Sequence, residues 1–354
     1  MSVLDLARAE VRALQAYSSA RMEARPAEVM LNANESPWCL DGDSLGLNRY
    51  PEPQPEQLCA RLGALYGVRP EQLLVGRGSD EAIDLLVRAF CRPGRDAIAI
   101  CPPTFGMYAV CAAVQGAAVQ SLACGADFRL DVTAMLSTLS SAVKLLFVCS
   151  PNNPTGDLVP LADIAQLAAN LADRALVVVD EAYIEFADSP SAASLLAEYP
   201  NLAVLRTLSK AWALAGARIG SLLADAGVIA LLRRIMPPYP LPLPSVTAAM
   251  AALGGDGEQR MQRRARKLAS ERERLRCALE RLPGVRAVYP SQANFVTVRL
   301  DDATAIWHAL AAQGIVVRDV GRYPQLANCL RISVGTPEEN SRLLDALAQR
   351  AEVA

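Results

Sequence analysis

Three of the chain's 35 basic residues are lysines, Lys144, Lys210 and Lys267, and His308 is its only histidine. Serine-histidine, cysteine-histidine and histidine-based metal chemistry would all rest on that one imidazole. It falls in ATAIWHALAAQ, where a histidine on a helix face is the simpler reading, and no metal site is expected. A nitrogen base must therefore be sought among the lysines. Lys144 opens the run KLLFVC and Lys267 lies in RMQRRARKLASERERLR, both ordinary solvated positions. Lys210, in RTLSKAWALAGARIG, is set among small and apolar residues and preceded by the hydroxyls of Thr207 and Ser209. Desolvation disfavours an ammonium, so a lysine held there deprotonates more easily, which suits Schiff-base chemistry with a carbonyl compound. The same segment also reads as a short surface helix from which the lysine snorkels.

The other polar clusters ask for a phosphorylated, aromatic, carbonyl-bearing cofactor. In GRGSDEAIDLL a glycine turn with Gly76, Gly78 and Ser79 opens a helix whose first N–H groups and dipole favour an anion. The pattern is neither a Walker loop nor GxGxxG, and taken alone a plain capped helix is the simpler account of it. Arg218, eight residues after Lys210, could add a fixed charge to the same phosphate. Asp180 ends the apolar run LVVVD, where an unpaired carboxylate is costly. A protonated pyridine nitrogen would pair with it, and the ring so held is an electron sink. Tyr183 and Asn153 can both donate hydrogen bonds to a ring oxygen beside an imine, and Phe105 in PPTFGMY can stack on the ring.

From about residue 71 to 224, apolar runs alternate with segments of helical period: QLLVG and SDEAIDLLVRAF, AIAIC and GMYAVCAAVQ, KLLFVCS and PLADIAQLAANLA, then ALVVVDEAY and LAVLRT. This alternation predicts a doubly wound α/β sheet covered on both faces. Its ligands belong at the carboxyl ends of the strands, where GRGSDE, SPNNPTG, DEAY and TLSK all fall. MPPYPLPLP, residues 236–244 with five prolines, interrupts the pattern and reads as a hinge or a wall of the site. Beyond it the sequence predicts the helix SVTAAMAAL, a long helix over 257–282, and strands at RAVYP, NFVTVRL, GIVVRD and CLRISVG, together an α+β unit. The long helix is rich in arginine, but Glu271, Glu273 and Glu280 are interspersed and it carries no aromatic residue, so it reads as a solvated face and not as an RNA-binding one.

Composition narrows the function classes. The 354 residues are 52% hydrophobic and 20% charged, with a formal net charge of −2, which suits a large buried core and gives no electrostatic reason to expect nucleic acid or a membrane. Ala97 to Ala126 contains no charged residue, but Pro102, Pro103, Gly106, Gln115, Gly116 and Gln120 interrupt it, and strand, loop, helix and strand is the better reading. Nine cysteines without a CxxC pair, and an N-terminus without a signal-peptide core, point to the cytoplasm.

Taken together, LNANESP, NRYPEPQP, RGSDEAIDLLVRAFC, CPPTFGMY, CSPNNPTG, DEAYIEF, RTLSKAWALAGARIG and CLRISVGT resemble, in order and nearly end to end, the fold type I pyridoxal 5'-phosphate enzymes of the aspartate aminotransferase superfamily. SPNNPTG, DEAY and TLSKA in that spacing carry the superfamily; LNANESP, NRYPEPQP, DEAYIEF and LRISVGT narrow the resemblance to the histidinol-phosphate aminotransferase branch. It implies an arm over residues 1–40 that also contributes to the small domain, a large cofactor domain over 41–245 and a small α+β domain over 246–354. It implies Lys210 as the Schiff-base lysine, Asp180 at the pyridine nitrogen, and Asn153 and Tyr183 at the ring hydroxyl. Ser79, Asp80 through its backbone, Thr207, Ser209 and Arg218 would hold the cofactor phosphate, with Tyr50 from the other subunit of a homodimer. Phe105 stands at a stacking position where the family often has tyrosine. Arg331, Arg318 and Tyr17 would hold the substrate, joined by Asn153; Asn294 and Tyr239 are candidates near the imidazole. The implied reaction exchanges the amine between L-glutamate and imidazole acetol phosphate, giving 2-oxoglutarate and L-histidinol phosphate, in histidine biosynthesis. A threonine-phosphate decarboxylase, a broad aromatic aminotransferase and a non-catalytic cofactor-binding module are the alternatives. The last has against it the presence of Lys210, Asp180 and Arg331 together.

Overall fold

The computed structural model describes residues 2–15, 17 and 29–351. Seven strands form one sheet: β1 (Leu73–Gly76), β2 (Ala97–Ile100), β3 (Ala118–Ser121), β4 (Val143–Cys149), β5 (Leu176–Asp180), β6 (Leu202–Thr207) and β7 (Gly220–Ala224), in the order β1-β7-β6-β5-β4-β2-β3. Strands β2 to β6 are mutually parallel, and β7 runs antiparallel to both β6 and β1. The expected doubly wound, mainly parallel sheet is therefore present. The sequence reading assigns no strand to GSLLA, which becomes β7 because the chain folds back along β6 after the Lys210 loop, pairing Thr207 with Gly220.

Helices cover both faces because the strands are apolar on both. Along β5, Leu176 and Val178 join one core with Phe147 of β4, and Val177 and Val179 join the other with Val148. In chain order the helices are α1 (Ala9–Ala13), α2 (Glu56–Tyr66), α3 (Ser79–Phe90), α4 (Met107–Gln115), α5 (Val132–Thr138), α6 (Leu161–Asn170), α7 (Ala226–Arg233), α8 (Leu243–Leu253), α9 (Gly257–Leu279), α10 (Ala303–Ala312) and α11 (Pro337–Ala351). Helices α3, α4 and α7 bury their apolar stripes on the Leu176 face, and α2, α5 and α6 on the Val177 face. The two-residue strand period thus puts Asp180 on the α4 side of the sheet.

A second sheet, in the order β10-β11-β9-β8, is antiparallel throughout and comprises β8 (Val285–Tyr289), β9 (Phe295–Leu300), β10 (Arg318–Asp319) and β11 (Cys329–Ser333). It packs against α10, α11 and the end of α9 around a separate core containing Val296, Leu330 and Leu279. GIVVRD forms a strand only at Arg318–Asp319, because the Val317 carbonyl accepts a hydrogen bond from the Trp307 indole (3.0 Å) and not from a ladder. The long helix stops at Leu279, three residues short of the expected end. Two contacts between the sheets lie at the SPNNPTG loop: Gln292 N–H donates to the Gly156 carbonyl (2.7 Å), and the Thr297 hydroxyl donates to that of Pro154.

Candidate active site

A cleft of about 570 Å³ opens between the sheets, at the carboxyl ends of β1, β4, β5 and β6. Ser79, Asp80, Phe105, Asn153, Asp180, Tyr183, Thr207, Ser209, Lys210, Arg218, Arg318 and Arg331 all line it. Tyr17, Tyr50, Tyr239 and Asn294 are not among its lining residues. Tyr50 instead stacks on Tyr239, with ring centroids 4.4 Å apart.

At one end the first turn of α3 meets the loop after β6. Gly78 caps the helix at φ +84°, and a Cβ there would stand 2.6 Å from the Arg218 guanidinium. Gly220 is under a stronger constraint, since a Cβ on it would lie 2.2 Å from the Ser79 nitrogen. Only glycine lets β7 pass so close to the helix start. Arg218, itself left-handed at φ +55°, donates to the Asp80 carboxylate (3.1 Å) and to the Ser209 hydroxyl (3.4 Å). The Ser209 N–H in turn donates to Thr207 Oγ1 (3.1 Å). Three hydroxyls, a guanidinium and a helix N-terminus thus converge on one place, the donor set that a phosphate requires. The side chain of Asp80 holds Arg218 in place, where the resemblance implies a part only for its backbone.

Deeper in the cleft, Asp180 is 2% exposed. Its carboxylate accepts a hydrogen bond from the Tyr108 hydroxyl (2.7 Å) and one from the Ala182 N–H (3.1 Å). Burial raises its pKa from 3.8 to about 6, against the downward pull of those two bonds. No ion pair reaches it among the described residues, so a cationic ring nitrogen would meet an acceptor that lacks a counter-charge.

Lys210 lies in a turn and not on a helix, so the surface-helix alternative does not hold. Leu208, Ala211 and Trp212 anchor that turn in the core, and the amine is left facing the cleft, 5.6 Å from the centre of the Tyr183 ring. Desolvation by the walls, followed by the charge of Arg331, lowers its pKa. Asn153 donates from its amide nitrogen to the Tyr183 hydroxyl (3.4 Å), and its oxygen accepts from Arg331. Arg331 lies over the Phe295 ring at 5.3 Å and pairs in register with Arg318 across the ladder, placing two guanidinium groups on the small-sheet wall. An amine of lowered proton affinity facing the cleft, an unneutralised buried carboxylate and a phosphate cradle fit a phosphorylated pyridine aldehyde.

Sequence reasoning missed four residues here. Tyr108 bonds Asp180; Thr104 links the PPTFG loop to Asn152 (2.8 Å); Tyr323 donates to the Thr104 carbonyl across the cleft mouth (2.7 Å); and Arg322 donates to the Tyr323 hydroxyl (3.1 Å). The three-residue spacing of Phe105 and Tyr108 at the start of α4 was the available signal for the first of them.

Comparison with known proteins agrees with this geometry. The family model for aminotransferase class I and II matches residues 15–347. A histidinol-phosphate aminotransferase of Xanthomonas axonopodis pv. citri is 54% identical over 100% of this chain and 99% of its own length. Among solved structures, the histidinol-phosphate aminotransferase of Sinorhizobium meliloti in complex with pyridoxal-5'-phosphate superposes with a TM-score of 0.77 at 27% identity, covering 86% of this chain and 83% of that one. A putative histidinol-phosphate aminotransferase from Erwinia carotovora atroseptica gives 0.79 at 25%, covering 88% and 90%. The chain belongs to the class I and II aminotransferases, within their histidinol-phosphate aminotransferase branch.

Proposed function

We propose that the protein interconverts L-histidinol phosphate and 2-oxoglutarate with imidazole acetol phosphate and L-glutamate, using pyridoxal 5'-phosphate, in histidine biosynthesis. The observation that carries the reading is the meeting, in one cleft, of the Lys210 amine, the buried Asp180 carboxylate and the Arg218 cradle, in a chain that shares 54% of its residues with a histidinol-phosphate aminotransferase. Bound there, the cofactor supplies an electron sink for negative charge developing at the substrate's α-carbon.

The chain's own residues do the rest. Ser79, Thr207, Ser209, Arg218 and the α3 N-terminus hold the cofactor phosphate. Phe105 packs on the ring face, Asp180 pairs with the ring nitrogen, and Asn153 and Tyr183 donate to the ring oxygen. Lys210 Nζ, its proton affinity lowered by desolvation, takes the proton from the substrate's α-carbon and later returns one. Arg331 and Arg318 grip the substrate anion, a carboxylate in one half-reaction and a phosphate in the other, since a guanidinium fork matches both.

The working unit in this reading is a cytoplasmic homodimer, with Tyr50 of one copy completing the phosphate site of the other and Tyr17 joining the substrate site. Supporting it, Tyr50 is 49% exposed, Leu31, Trp38, Leu40 and Leu47 in the segment that precedes it are exposed too, and all nine cysteines are free thiols. The division into an arm (1–40), a large domain (41–245) and a small domain (246–354) belongs to the same proposal, with the two separate sheets as its support.

The test is the absorbance of the purified, cofactor-loaded protein before and after L-histidinol phosphate. The expected result is conversion of the cofactor from its aldehyde-derived to its amine form, reversed by 2-oxoglutarate. Loss of carbon dioxide from O-phosphothreonine without that reversal would replace the proposal with a decarboxylase.

A further inference from the structure

Tyr108 stands outside every role assigned so far, although it is fully buried and its hydroxyl is aimed at the centre of the site. It lies on the second residue of α4, with its ring stacked on Phe147 of β4 (4.6 Å, 10°) and edge-on to Phe105 (5.6 Å, 83°). Two aromatic contacts at right angles leave the ring no room to turn away. The hydroxyl therefore meets Asp180 Oδ2 at 2.7 Å, while Oδ1 receives the Ala182 N–H. Together these two bonds fix the plane of the carboxylate.

We infer that Tyr108 is a positioning residue which, by donating to Asp180, keeps the carboxylate ionised and oriented in a dry site, so that a proton shared with the cofactor's ring nitrogen stays on the nitrogen. The inference rests on the cofactor reading above. Its physical basis is a competition. A buried carboxylate tends to take the shared proton, which would leave a neutral pyridine and a poorer electron sink; each hydrogen bond donated to the carboxylate lowers its proton affinity. The other titratable groups facing Asp180 among the described residues are the Cys149 thiol at the end of β4, the Tyr183 phenol, Asp80 on α3 and Lys210 beyond β6. Of these the aspartate favours protonation and the lysine opposes it from a distance, so the two hydrogen bonds are the main local force keeping the charge on Asp180. Tyr108's own ionisation is pushed far above its ordinary range by burial and by the neighbouring carboxylate, so the phenol remains a donor throughout the working pH range.

The experiment uses the holoenzyme loaded with pyridoxal phosphate labelled with nitrogen-15 in the ring, whose chemical shift separates pyridinium from neutral pyridine. The wild type is expected to show the pyridinium position at neutral pH. In Tyr108→Phe the resonance should move toward neutral pyridine, and the glutamate half-reaction should slow by about tenfold or more, the scale of a hydrogen bond to a charged acceptor. Replacing Tyr108 by 3-fluorotyrosine, which keeps the donor and the packing, should restore the pyridinium signal. An unchanged pyridinium resonance in Tyr108→Phe would overturn the inference and leave Tyr108 as packing alone. A wild type that binds no cofactor would instead sink the cofactor reading, and the inference with it.

Discussion

Asp180→Asn should relieve the cofactor-free protein of a pH-dependent cost while disabling the holoenzyme, and the size of the effect follows from burial. The folded pKa of Asp180, about 6, lies above its ordinary 3.8 because burial penalises the charged form. A group shifted upward binds its proton more tightly in the folded state. Its contribution to stability is complete below the unfolded value and is lost as the pH rises through the folded one. A shift of about two units, at about 1.36 kcal/mol each, makes the ionised carboxylate cost about 3 kcal/mol above pH 7 when no cation faces it. Integrated between the two values, about half of that cost is present at pH 5 and nearly all of it at pH 8. Asparagine keeps the shape without the charge; its single oxygen can accept from Tyr108 or from the Ala182 N–H but not from both, a loss that does not vary with pH. The cofactor-free variant should therefore gain on the wild type by roughly 1 kcal/mol more at pH 8 than at pH 5. Urea unfolding at a fixed protein concentration reads the difference, the fixed concentration removing mass action from any dimer. With saturating pyridoxal phosphate the order should reverse, because only the aspartate gains a counter-charge. A difference between variant and wild type that does not change with pH would refute the claim that an uncompensated Asp180 charge burdens the empty site.

Three further outcomes follow from the same geometry. Arg318→Ala should slow the histidinol-phosphate half-reaction more than the glutamate one, because Arg318 lies at the outer, exposed edge of the Arg331 pair; equal losses in single-turnover absorbance traces would refute that division. Gly220→Ala should lower cofactor affinity and cost about 1–3 kcal/mol of stability, since its methyl must displace the backbone of Gly78 and Ser79; calorimetric melting and a cofactor titration on one sample would check both. Arg206→Met should cost about 3–5 kcal/mol in urea unfolding, because the buried Arg206 donates to Glu185 (2.8 Å), faces Glu181 at 3.6 Å, and would leave two buried carboxylates without a cation.

The set of elements and the identity of the nitrogen base are legible in the amino-acid order alone. Strands buried on both faces must be short and apolar, and helices on a sheet must carry an apolar stripe. The alternation from QLLVG to LAVLRT therefore dictated a doubly wound sheet, and the polar clusters had to fall at its strand ends. With one histidine and three lysines, two of them in plainly solvated surroundings, Lys210 was legible without any structure. Tertiary structure alone decided which side chains meet. Tyr108 in MYAVCAAVQ looks like any core position on a helix, and only the packing of α4 over the Asp180 face of the sheet turns its hydroxyl onto a carboxylate 72 residues away. Arg331 and Asn153, 178 residues apart, touch only because the second sheet docks against the SPNNPTG loop. The β7 strand escaped notice because its pairing depends on the Lys210 loop folding back, with Gly220 passing α3 where a side chain would not fit. Periodicity is a local property that each segment carries with it, whereas register, docking and close approach depend on partners distant in the chain, which no local pattern encodes.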